Sequence, residues 1–567
     1  MWRPSSGPHS KSNRPLRTSP VVSIPLKAPR VIICDDLHPA ALEQFQAHGI
    51  EAEVRTGMDE AALIQAVPGV NALVVRSATK ITRAVLEAAS DLVVVGRAGV
   101  GVDNVDVAAA TERGVVVMNT PTGNTTTTGE LAIALLCSLA RNVPQADRST
   151  RGGDWKKKKL MGTEITGKVL GVIGLGRIGR VVAQRAMGLC MEVVAYDPYL
   201  SKAGLSKTGA ESGLEGIELL ELDDLLQRSD FVTLHVPLTD ETRGLLGAER
   251  LALMKDGARL INCARGGLVD EAALAVALDE GRLAGAALDV LKQEPPPEGH
   301  PLLGRDNVIL TPHLGASSHE AQRNVAVDVA KQIATFLEDD VARNAVNAPA
   351  LPASMRHELA PYLLLAERMG SYLAQRMDEP IRKVEFTLAG EVASKDQVGA
   401  LRLGFLVALL QRSMEGSVNF VNAPMLAGER GMHILEDSEG SAGNYTNLIK
   451  ARVSSEDGQA SHVVAGTVFG NGPRFVRVDD LHVDLTPKGH LLLTRHTDQP
   501  GVLGQIGTLL GAEGVNVSRV ELEPHGADRE GQATAFFSLY DTPSEDAIER
   551  VRGLDAVHSA RRIDLGA

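Results

Sequence analysis

The sequence predicts an α/β protein in which two doubly wound parallel-sheet domains are followed by two smaller α+β domains. Three patterns carry this prediction: apolar runs that alternate with helical segments, a glycine-rich turn between a strand and a helix, and a strand–helix–strand module near the carboxyl end. The chain has 567 residues. At about 150 residues per domain, this length predicts about four folding units.

The first two units follow from the alternating patterns. The apolar runs VIIC, ALVV, LVVVG and VVVMN alternate with the helical patterns PAALEQFQAHG and AVLEAAS, which is typical of βαβ units on a parallel sheet. A predicted helix over 126–140 leads to a second set of such units, and an amphipathic helix over 320–338 could carry the chain back to the first. We therefore expect a discontinuous first domain over 30–125 and 308–343, with the second domain over 126–307.

The last two units follow a predicted linker. The stretch NAVNAPALPA begins at 344, and its prolines disrupt both helices and strand ladders. The third region, 344–487, mixes helical and strand patterns and contains no recognisable catalytic or ligand-binding motif. From 488 to 567 the pattern is strand, Pro-Gly turn, helix, two strands, helix and a last strand, VHSARRIDL. We expect a small βαββαβ domain there.

Composition excludes several classes of function. The formal net charge of -13 opposes binding to polyphosphate backbones, so we expect no nucleic-acid partner. The cysteines form no CxxC pair, which predicts neither a metal site nor a disulfide framework and favours a reducing cytoplasm. These cysteines are Cys34, Cys137, Cys190 and Cys263.

No apolar run approaches the roughly 18 residues that a membrane-spanning helix needs, so we expect no membrane partner. Residues 1–29 are rich in Ser, Pro, Lys and Arg and contain no acidic side chain. This composition predicts a disordered tail, with a transit peptide as the less favoured alternative.

The turn VLGVIGLGRIGRVVAQ predicts a dinucleotide site. Gly174 permits the tight turn, Gly176 lets the backbone approach a pyrophosphate, and Gly179 allows the helix to pack on the strand. The next strand ends at Asp197, whose carboxylate can accept hydrogen bonds from both ribose hydroxyls. That carboxylate would repel the additional phosphate of NADP, so the predicted cofactor is NAD.

Three further motifs, NCARGGLVDE, ALDVLKQEP and TPHLGAS, follow in this order and resemble the D-2-hydroxyacid dehydrogenase family. The resemblance implies that the catalytic residues are Arg265, Glu294 and His313. It also implies a wider set of cofactor contacts, made by Thr79, Gly174, Gly176, Arg177, Ile178, Gly179, Asp197, Val236, Pro237, Cys263, Ala264, Arg265, Asp289, His313, Gly315 and Ala316.

Elementary chemistry explains the three catalytic residues. Loss of a hydride from C2 of a hydroxy acid must be accompanied by loss of the hydroxyl proton, which His313 can accept. Glu294 would hold the other ring nitrogen and favour the imidazolium, while Arg265 can bind the carboxylate and polarise the C2 oxygen. Singly, each residue type is more often structural, so the prediction rests on their joint occurrence after a cofactor motif.

Two motifs of the first domain, VVRSATKIT and VVGRAGVGVDNVD, resemble the phosphoglycerate dehydrogenase branch of this family. This implies oxidation of 3-phospho-D-glycerate to 3-phosphohydroxypyruvate, the first step of L-serine biosynthesis. Arg76 is the expected phosphate ligand, assisted by Ser77 and Asn104. Amides of the loop formed by Gly99, Val100 and Gly101 would bind the substrate carboxylate. The alternative reading of that loop is a simple turn.

The last unit resembles an ACT domain, an amino-acid-sensing fold, through HTDQPGVLGQIGTLL and GVNVSRV. The resemblance places effector contacts at His496, Asp498 and Asn516 and implies L-serine as an effector. The alternative is a dimer-forming domain without a ligand. The third region resembles the intervening domain of the long enzymes of this branch, and the family implies a homotetramer. The lysines of WKKKKLMGTE could serve a neighbouring subunit's phosphate site, although a solvated cluster is the commoner reading.

Three alternatives remain open from the sequence. Another 2-hydroxy acid, such as glycerate or 2-hydroxyglutarate, could be oxidised with the same three catalytic residues. An NADH-sensing corepressor would bind the cofactor with little turnover, and a bare amino-acid-binding protein would need no cofactor motif. The complete catalytic set argues against the second, and the glycine turn argues against the third.

Overall fold

The protein is described by a computed structural model. It covers residues 28–200, 214–339, 341–348, 353–393, 395–414, 418–470, 472–524 and 531–566. The predicted tail over 1–29 therefore lies almost wholly outside the described residues. Among the described helices, none combines the length and the apolar character needed to cross a bilayer. No group of three or more His, Cys, Asp and Glu side chains in this part of the chain is arranged to hold a metal ion.

The first sheet has five parallel strands in the order β2-β1-β3-β4-β5. Strands β3 and β4 are almost entirely buried because helices cover both faces, which explains their continuous apolar runs. The strands are β1 (Arg30–Ile33), β2 (Glu51–Val54), β3 (Ala72–Val75), β4 (Val94–Arg97) and β5 (Val116–Asn119). The helices between them are α1 (Ala40–Ala47), α2 (Glu60–Ala66), α3 (Arg83–Ala88) and α4 (Val107–Glu112).

The second sheet has seven parallel strands in the order β12-β11-β10-β9-β6-β7-β8, which is the doubly wound order of dinucleotide-binding folds with one strand added. The chain enters it through α5 (Thr125–Ala140) and α6 (Val143–Arg151). Its strands are β6 (Val169–Ile173), β7 (Glu192–Tyr196), β8 (Glu218–Leu219), β9 (Phe231–Leu234), β10 (Ala258–Asn262), β11 (Leu283–Leu288) and β12 (Val308–Leu310). Its helices are α7 (Arg177–Gly188), α8 (Leu222–Arg228), α9 (Ala248–Leu253) and α10 (Glu271–Asp279).

The helix α11 (His319–Asp339) returns to the first sheet. It packs against β4 where Gly96 has no side chain: a Cβ there would collide with Ile333 and lie 2.7 Å from Val329. The segment that follows, read from the sequence as a linker, in part extends this sheet. Asn119 N donates to Asn344 O, and Val346 N donates to Val117 O at 2.8 Å.

The third sheet has six strands in the order β14-β13-β15-β16-β17-β18, with only β13 and β14 parallel. Its core contains the aromatic pairs Tyr372–Phe475 and Phe386–Phe405, with centroids 5.6 and 5.4 Å apart. The helices are α12 (Ala353–Arg376), α13 (Lys395–Gln411) and α14 (Ala423–Glu429). The strands are β13 (Lys383–Gly390), β14 (His433–Glu439), β15 (Asn447–Ser454), β16 (Ser461–Phe469), β17 (Gly472–Val478) and β18 (Leu481–Leu485).

The fourth sheet is antiparallel in the order β20-β21-β19-β22, and the chain runs βαββαβ as predicted. It comprises β19 (His490–Thr497), α15 (Val502–Ala512), β20 (Val517–Pro524), β21 (Gln532–Leu539), α16 (Glu545–Arg552) and β22 (Val557–Asp564). Strand β22 docks on α12: Asp564 N donates to Gln375 Oε1 at 2.8 Å, and Gln375 Nε2 donates back to Asp564 O at 2.9 Å. The predicted fold class is confirmed in all four parts.

Candidate active site

The predicted catalytic and cofactor residues of the second domain lie where parallel strands end. The glycine turn follows β6, Arg265 follows β10, Glu294 follows β11 and His313 follows β12. Since the carboxyl ends of parallel strands meet at one edge of a sheet, these side chains converge on one cleft. Arg76 and Arg97 occupy the equivalent edge of the first sheet, after β3 and at the end of β4.

The glycine turn has the geometry of a pyrophosphate cradle. Gly174 has a φ of +93°, and a Cβ there would lie 2.7 Å from Val236 and 2.8 Å from His235 O. A Cβ on Gly179 would collide with Gly174 O, whereas nothing lies within 4 Å of one on Gly176. Gly174 is therefore required for the backbone turn and Gly179 for the packing of the helix. Gly176 instead leaves open space at the amino end of α7.

Asp197 stands at the end of β7, beside this turn. One carboxylate oxygen accepts the Leu175 amide at 2.9 Å, and the other accepts the Tyr199 amide at 3.0 Å. These contacts fix the carboxylate, and each oxygen keeps a further lone pair that can accept a ribose hydroxyl. Other predicted cofactor residues surround the same edge: Arg177 and Ile178 open α7, Val236 and Pro237 follow β9, Cys263 and Ala264 follow β10, and Gly315 and Ala316 follow His313.

His313 and Glu294 form the central pair. Nδ1 of His313 lies 2.7 Å from Glu294 Oε2. Burial alone would raise the pKa of Glu294, but hydrogen bonds from His313 and the Leu291 amide, with the nearby charge of Arg265, bring that pKa below its ordinary value. The carboxylate is therefore held ionised and can fix the imidazole, whose other nitrogen remains for a substrate.

Asp289, which is only 1% exposed, holds the loop that carries His313. Its carboxylate accepts Thr311 Oγ1 at 2.6 Å, Leu314 N at 2.7 Å and Gly315 N at 2.8 Å. These contacts fix a residue in a strained conformation, because His313 has a φ of +56°. The family resemblance implies that Asp289 contacts the cofactor, and the structure gives its carboxylate contacts that brace the loop of His313.

Arg265 spans the cleft between the two domains. Its Nε donates to Asp103 Oδ2 at 3.2 Å, its Nη1 donates to Ala264 O at 2.7 Å, and its guanidinium lies against Gly101. Because Gly101 belongs to the predicted substrate loop, the structure brings the predicted catalytic arginine to the first domain. Arg265 also lies close enough to Glu294 to affect its pKa.

Arg97 is a functional candidate that the sequence reasoning missed. Its guanidinium lies against Gly99, and its Nε is buried without a hydrogen-bond partner. Burial, followed by the charge of Arg265, lowers the pKa of Arg97 to about 10, with Arg76 adding to the effect. Arg76 and Arg265 therefore lie close enough to Arg97 for their positive charges to act on it, while Asp103 and Asp35 act in the opposite direction. The signal was present in GRAGVG, where a cation ends a buried strand directly before the glycine loop.

The remaining predicted residues of the first domain have mixed surroundings. Ser77 is exposed, whereas Asn104 donates to Arg76 O and to Thr79 O at 2.6 Å and so ties the loop together. Thr79, predicted as a cofactor contact, is buried, and its hydroxyl donates to Asp35 Oδ1 at 2.6 Å. The structure thus gives Thr79 a bracing contact within the first domain.

The predicted effector residues lie apart within one chain. Asp498 is exposed before the start of α15, and Asn516 is exposed after its end. An 11-residue helix is about 16 Å long, so one small amino acid cannot touch both side chains of the same chain. His496 is buried, and burial lowers its pKa while Asp498 acts in the opposite direction.

Comparisons with known proteins identify three of the domains by their sequence. The model of the D-isomer specific 2-hydroxyacid dehydrogenase NAD-binding domain matches residues 133–315, that of the D-3-phosphoglycerate dehydrogenase intervening domain matches 358–479, and that of the ACT domain matches 490–555. The crystal structure of a D-lactate dehydrogenase from Aquifex aeolicus, complexed with NAD and lactic acid, is 25% identical with a TM-score of 0.50 and covers 57% of this chain and 100% of its own.

Two curated relatives match almost from end to end. The D-3-phosphoglycerate dehydrogenase of Archaeoglobus fulgidus is 42% identical over 536 residues, which are 94% of this chain and 100% of the relative. That of Methanocaldococcus jannaschii is 41% identical over 540 residues, again 94% of this chain and 100% of the relative. Identity at this level over the full architecture, together with the three matched domains, shows that the chain belongs to the D-3-phosphoglycerate dehydrogenase family.

Proposed function

We propose that the chain oxidises 3-phospho-D-glycerate to 3-phosphohydroxypyruvate with NAD, the first step of L-serine synthesis. The observation that carries this proposal is the His313–Glu294 pair at 2.7 Å, which shares its cleft with Arg265. A base held by a carboxylate next to a guanidinium is what oxidation of a 2-hydroxy acid requires.

The cofactor site supports NAD. The open space at Gly176 admits a pyrophosphate, the amides that open α7 can bind its oxygens, and the fixed carboxylate of Asp197 can accept the ribose hydroxyls. When bound, NAD supplies the acceptor for the hydride that leaves C2. The carboxylate of Asp197 would repel a 2′-phosphate, which favours NAD over NADP.

The protein's own residues move the proton and stabilise charge. As the hydride leaves C2, the hydroxyl proton passes to Nε2 of His313 and the C2–O bond becomes a carbonyl. Glu294 stabilises the resulting imidazolium through Nδ1, while Arg265 stabilises negative charge on the C2 oxygen and the carboxylate. Asp289 keeps the base in place through the loop amides.

The arginine cluster supports a substrate with two anionic groups. Arg76 and Arg265 both lie close enough to Arg97 to affect it electrostatically. Bidentate guanidinium contacts suit both phosphate and carboxylate. We propose that Arg76 and Arg97 bind the phosphate and that the loop from Gly99 to Gly101 binds the carboxylate. The first domain in this proposal comprises 30–125 and 308–343.

A substrate panel tests the assignment. NADH formation is measured with 3-phospho-D-glycerate, D-glycerate and 2-hydroxyglutarate, and we expect phosphoglycerate to have the highest kcat/KM. Arg76→Ala should abolish turnover of phosphoglycerate and spare that of glycerate, while Arg113→Ala, an exposed arginine of the same domain, should leave both unchanged. Faster turnover of an unphosphorylated acid would overturn the substrate, and NADH binding without turnover of any acid would favour the corepressor alternative.

We further propose that L-serine is a feedback inhibitor bound between two copies of the last domain. Since Asp498 and Asn516 lie at opposite ends of α15, a single effector could touch both types of side chain only across a subunit contact. Trp155 and Met161 are 85% and 82% exposed and flank the lysines of WKKKKLMGTE, which supports a further contact between copies at this segment. The proposed assembly is a homotetramer. The unpaired cysteines support a cytoplasmic location.

Complementation between variants tests the shared effector site. Asp498→Ala and Asn516→Ala chains should each lose the response to L-serine, and co-assembled chains of the two variants should regain part of it because some contacts then have one intact site. The proposal fails if millimolar L-serine changes neither the rate nor the melting temperature of the unmodified protein.

A further inference from the structure

Glu271, the first residue of α10, makes a buried pair that the reaction chemistry does not explain. Its side chain is 10% exposed and that of its partner His300 is 7% exposed. Glu271 Oε2 accepts His300 Nε2 at 2.9 Å, and Glu271 Oε1 accepts the Lys292 amide at 2.6 Å. His300 Nδ1 accepts the Leu302 amide, so the proton lies on Nε2 and points to Glu271. Both carboxylate oxygens are therefore engaged.

These contacts converge on the short segment that carries Glu294. Lys292 lies two residues before Glu294, and the Leu291 amide donates to Glu294 Oε1 at 3.0 Å. On its other side the same backbone presses against Gly266, where a Cβ would collide with the Leu291 carbonyl carbon. The loop of Arg265 and the loop of Glu294 are thus packed together. The Glu271 side chain fixes the backbone of the Glu294 loop at the Lys292 amide.

The two halves of the catalytic pair have separate supports. Asp289 holds the loop of His313 through Leu314 N and Gly315 N. It makes no such contact with the segment at Lys292, which Glu271 holds instead. Both supports are buried carboxylates that accept backbone amides, the arrangement that best fixes a loop, because loss of a partner leaves an amide unsatisfied.

We propose that Glu271, through the Lys292 amide and His300, is a positioning residue that holds Glu294 within hydrogen-bonding distance of His313. This inference rests on the proposed dehydrogenase activity, because it gives Glu271 an effect on turnover. Glu271 touches neither substrate nor cofactor in this account. It acts only by where it puts Glu294.

The first test is Glu271→Gln. The amide group of glutamine would face a donor on one side, either His300 Nε2–H or the Lys292 N–H, so one contact becomes donor against donor. We expect kcat to fall by about tenfold to a hundredfold from the displaced Glu294, while the KM for NAD changes less than about twofold. Glu280→Gln, an exposed glutamate just after the same helix, is the matched control and should keep full activity.

A double-mutant cycle separates positioning from a general loss of structure. If Glu271 acts through Glu294, adding Glu271→Gln to Glu294→Gln should lower kcat by less than about twofold more. The inference would be overturned if the double variant lost kcat by the product of the two single-variant factors, or if Glu271→Gln alone left kcat unchanged. His300→Gln keeps an N–H donor for Glu271 and should retain more activity than His300→Leu, and equal rates in these two would also contradict it.

The cycle is run with whichever 2-hydroxy acid the unmodified protein oxidises fastest. Normal turnover of another acid, with phosphoglycerate unreactive, would overturn the substrate assignment and leave the test of Glu271 intact. Urea unfolding of each variant shows that the chains compared are folded at the assay temperature.

Discussion

Replacement of Asp289 by asparagine separates the two roles that its position allows. Asp289 is 1% exposed, and its carboxylate accepts three hydrogen bonds, from Thr311 Oγ1, Leu314 N and Gly315 N. The asparagine side chain has only one acceptor oxygen, so its NH2 group must face one of the three donors that now bind the carboxylate. Loss of a charge-assisted hydrogen bond costs about 1.5–3 kcal/mol, and a buried unsatisfied N–H costs about 1–3 kcal/mol. Because these terms overlap, we expect Asp289→Asn to lower the free energy of unfolding by about 2–4 kcal/mol.

The same variant should lower kcat, because the loop it loosens carries His313. A displacement of about 1 Å in a catalytic group can cost about a hundredfold in rate. Urea unfolding and saturating turnover are measured together, with Asp279→Asn as the control, because Asp279 pairs with Arg305 at the surface. The reasoning is refuted if Asp289→Asn raises the KM for NAD but leaves kcat and the unfolding midpoint unchanged, since Asp289 would then act on the cofactor alone.

Three further changes have defined outcomes. Arg97→Met should lower kcat/KM for phosphoglycerate by about tenfold to a hundredfold, and a variant with unchanged kcat/KM would remove Arg97 from the substrate site. Burial lowers the pKa of His235 from 6.5 to about 4. As the pH is lowered between these values, histidine in the unfolded chain takes up a proton and His235 in the folded chain does not, so the free energy of unfolding falls. The loss is at most about 3 kcal/mol, and acid titration of His235→Asn should show a smaller decline. Gly96→Ala should cost about 1–3 kcal/mol in urea unfolding through its collision with Ile333, whereas Gly188→Ala, in open space, should not destabilise; equal midpoints would contradict the packing of α11.

The sequence predicted those features that depend on local pattern. The alternation of apolar runs and helical segments predicted both parallel sheets, and the turn from Gly174 to Gly179 stands between a strand and a helix as expected. The helix predicted over 320–338 is His319–Asp339 in the structure. Such features are local because strand burial and helix periodicity are set by residues near one another in the chain.

Other features depend on contacts between distant residues and were not predictable in this way. Whether Asp289 faces the cofactor or the loop of His313 depends on how β11 and β12 pair, and Arg97 becomes a substrate candidate only when Arg265 approaches from the other domain. The residues at 344–347 read as a linker because their composition disfavours regular structure, yet the edge of β5 offers them unpaired backbone groups.

The central claim is that His313, fixed by Glu294, removes the C2 hydroxyl proton during oxidation of 3-phospho-D-glycerate. The most direct measurement is the rate of NADH formation from saturating phosphoglycerate and NAD in His313→Gln, compared with the unmodified chain. General-base catalysis contributes about a hundredfold to ten-thousandfold, so kcat should fall by at least about a hundredfold while NADH binding is retained. A variant that forms NADH at the unmodified rate would contradict the account.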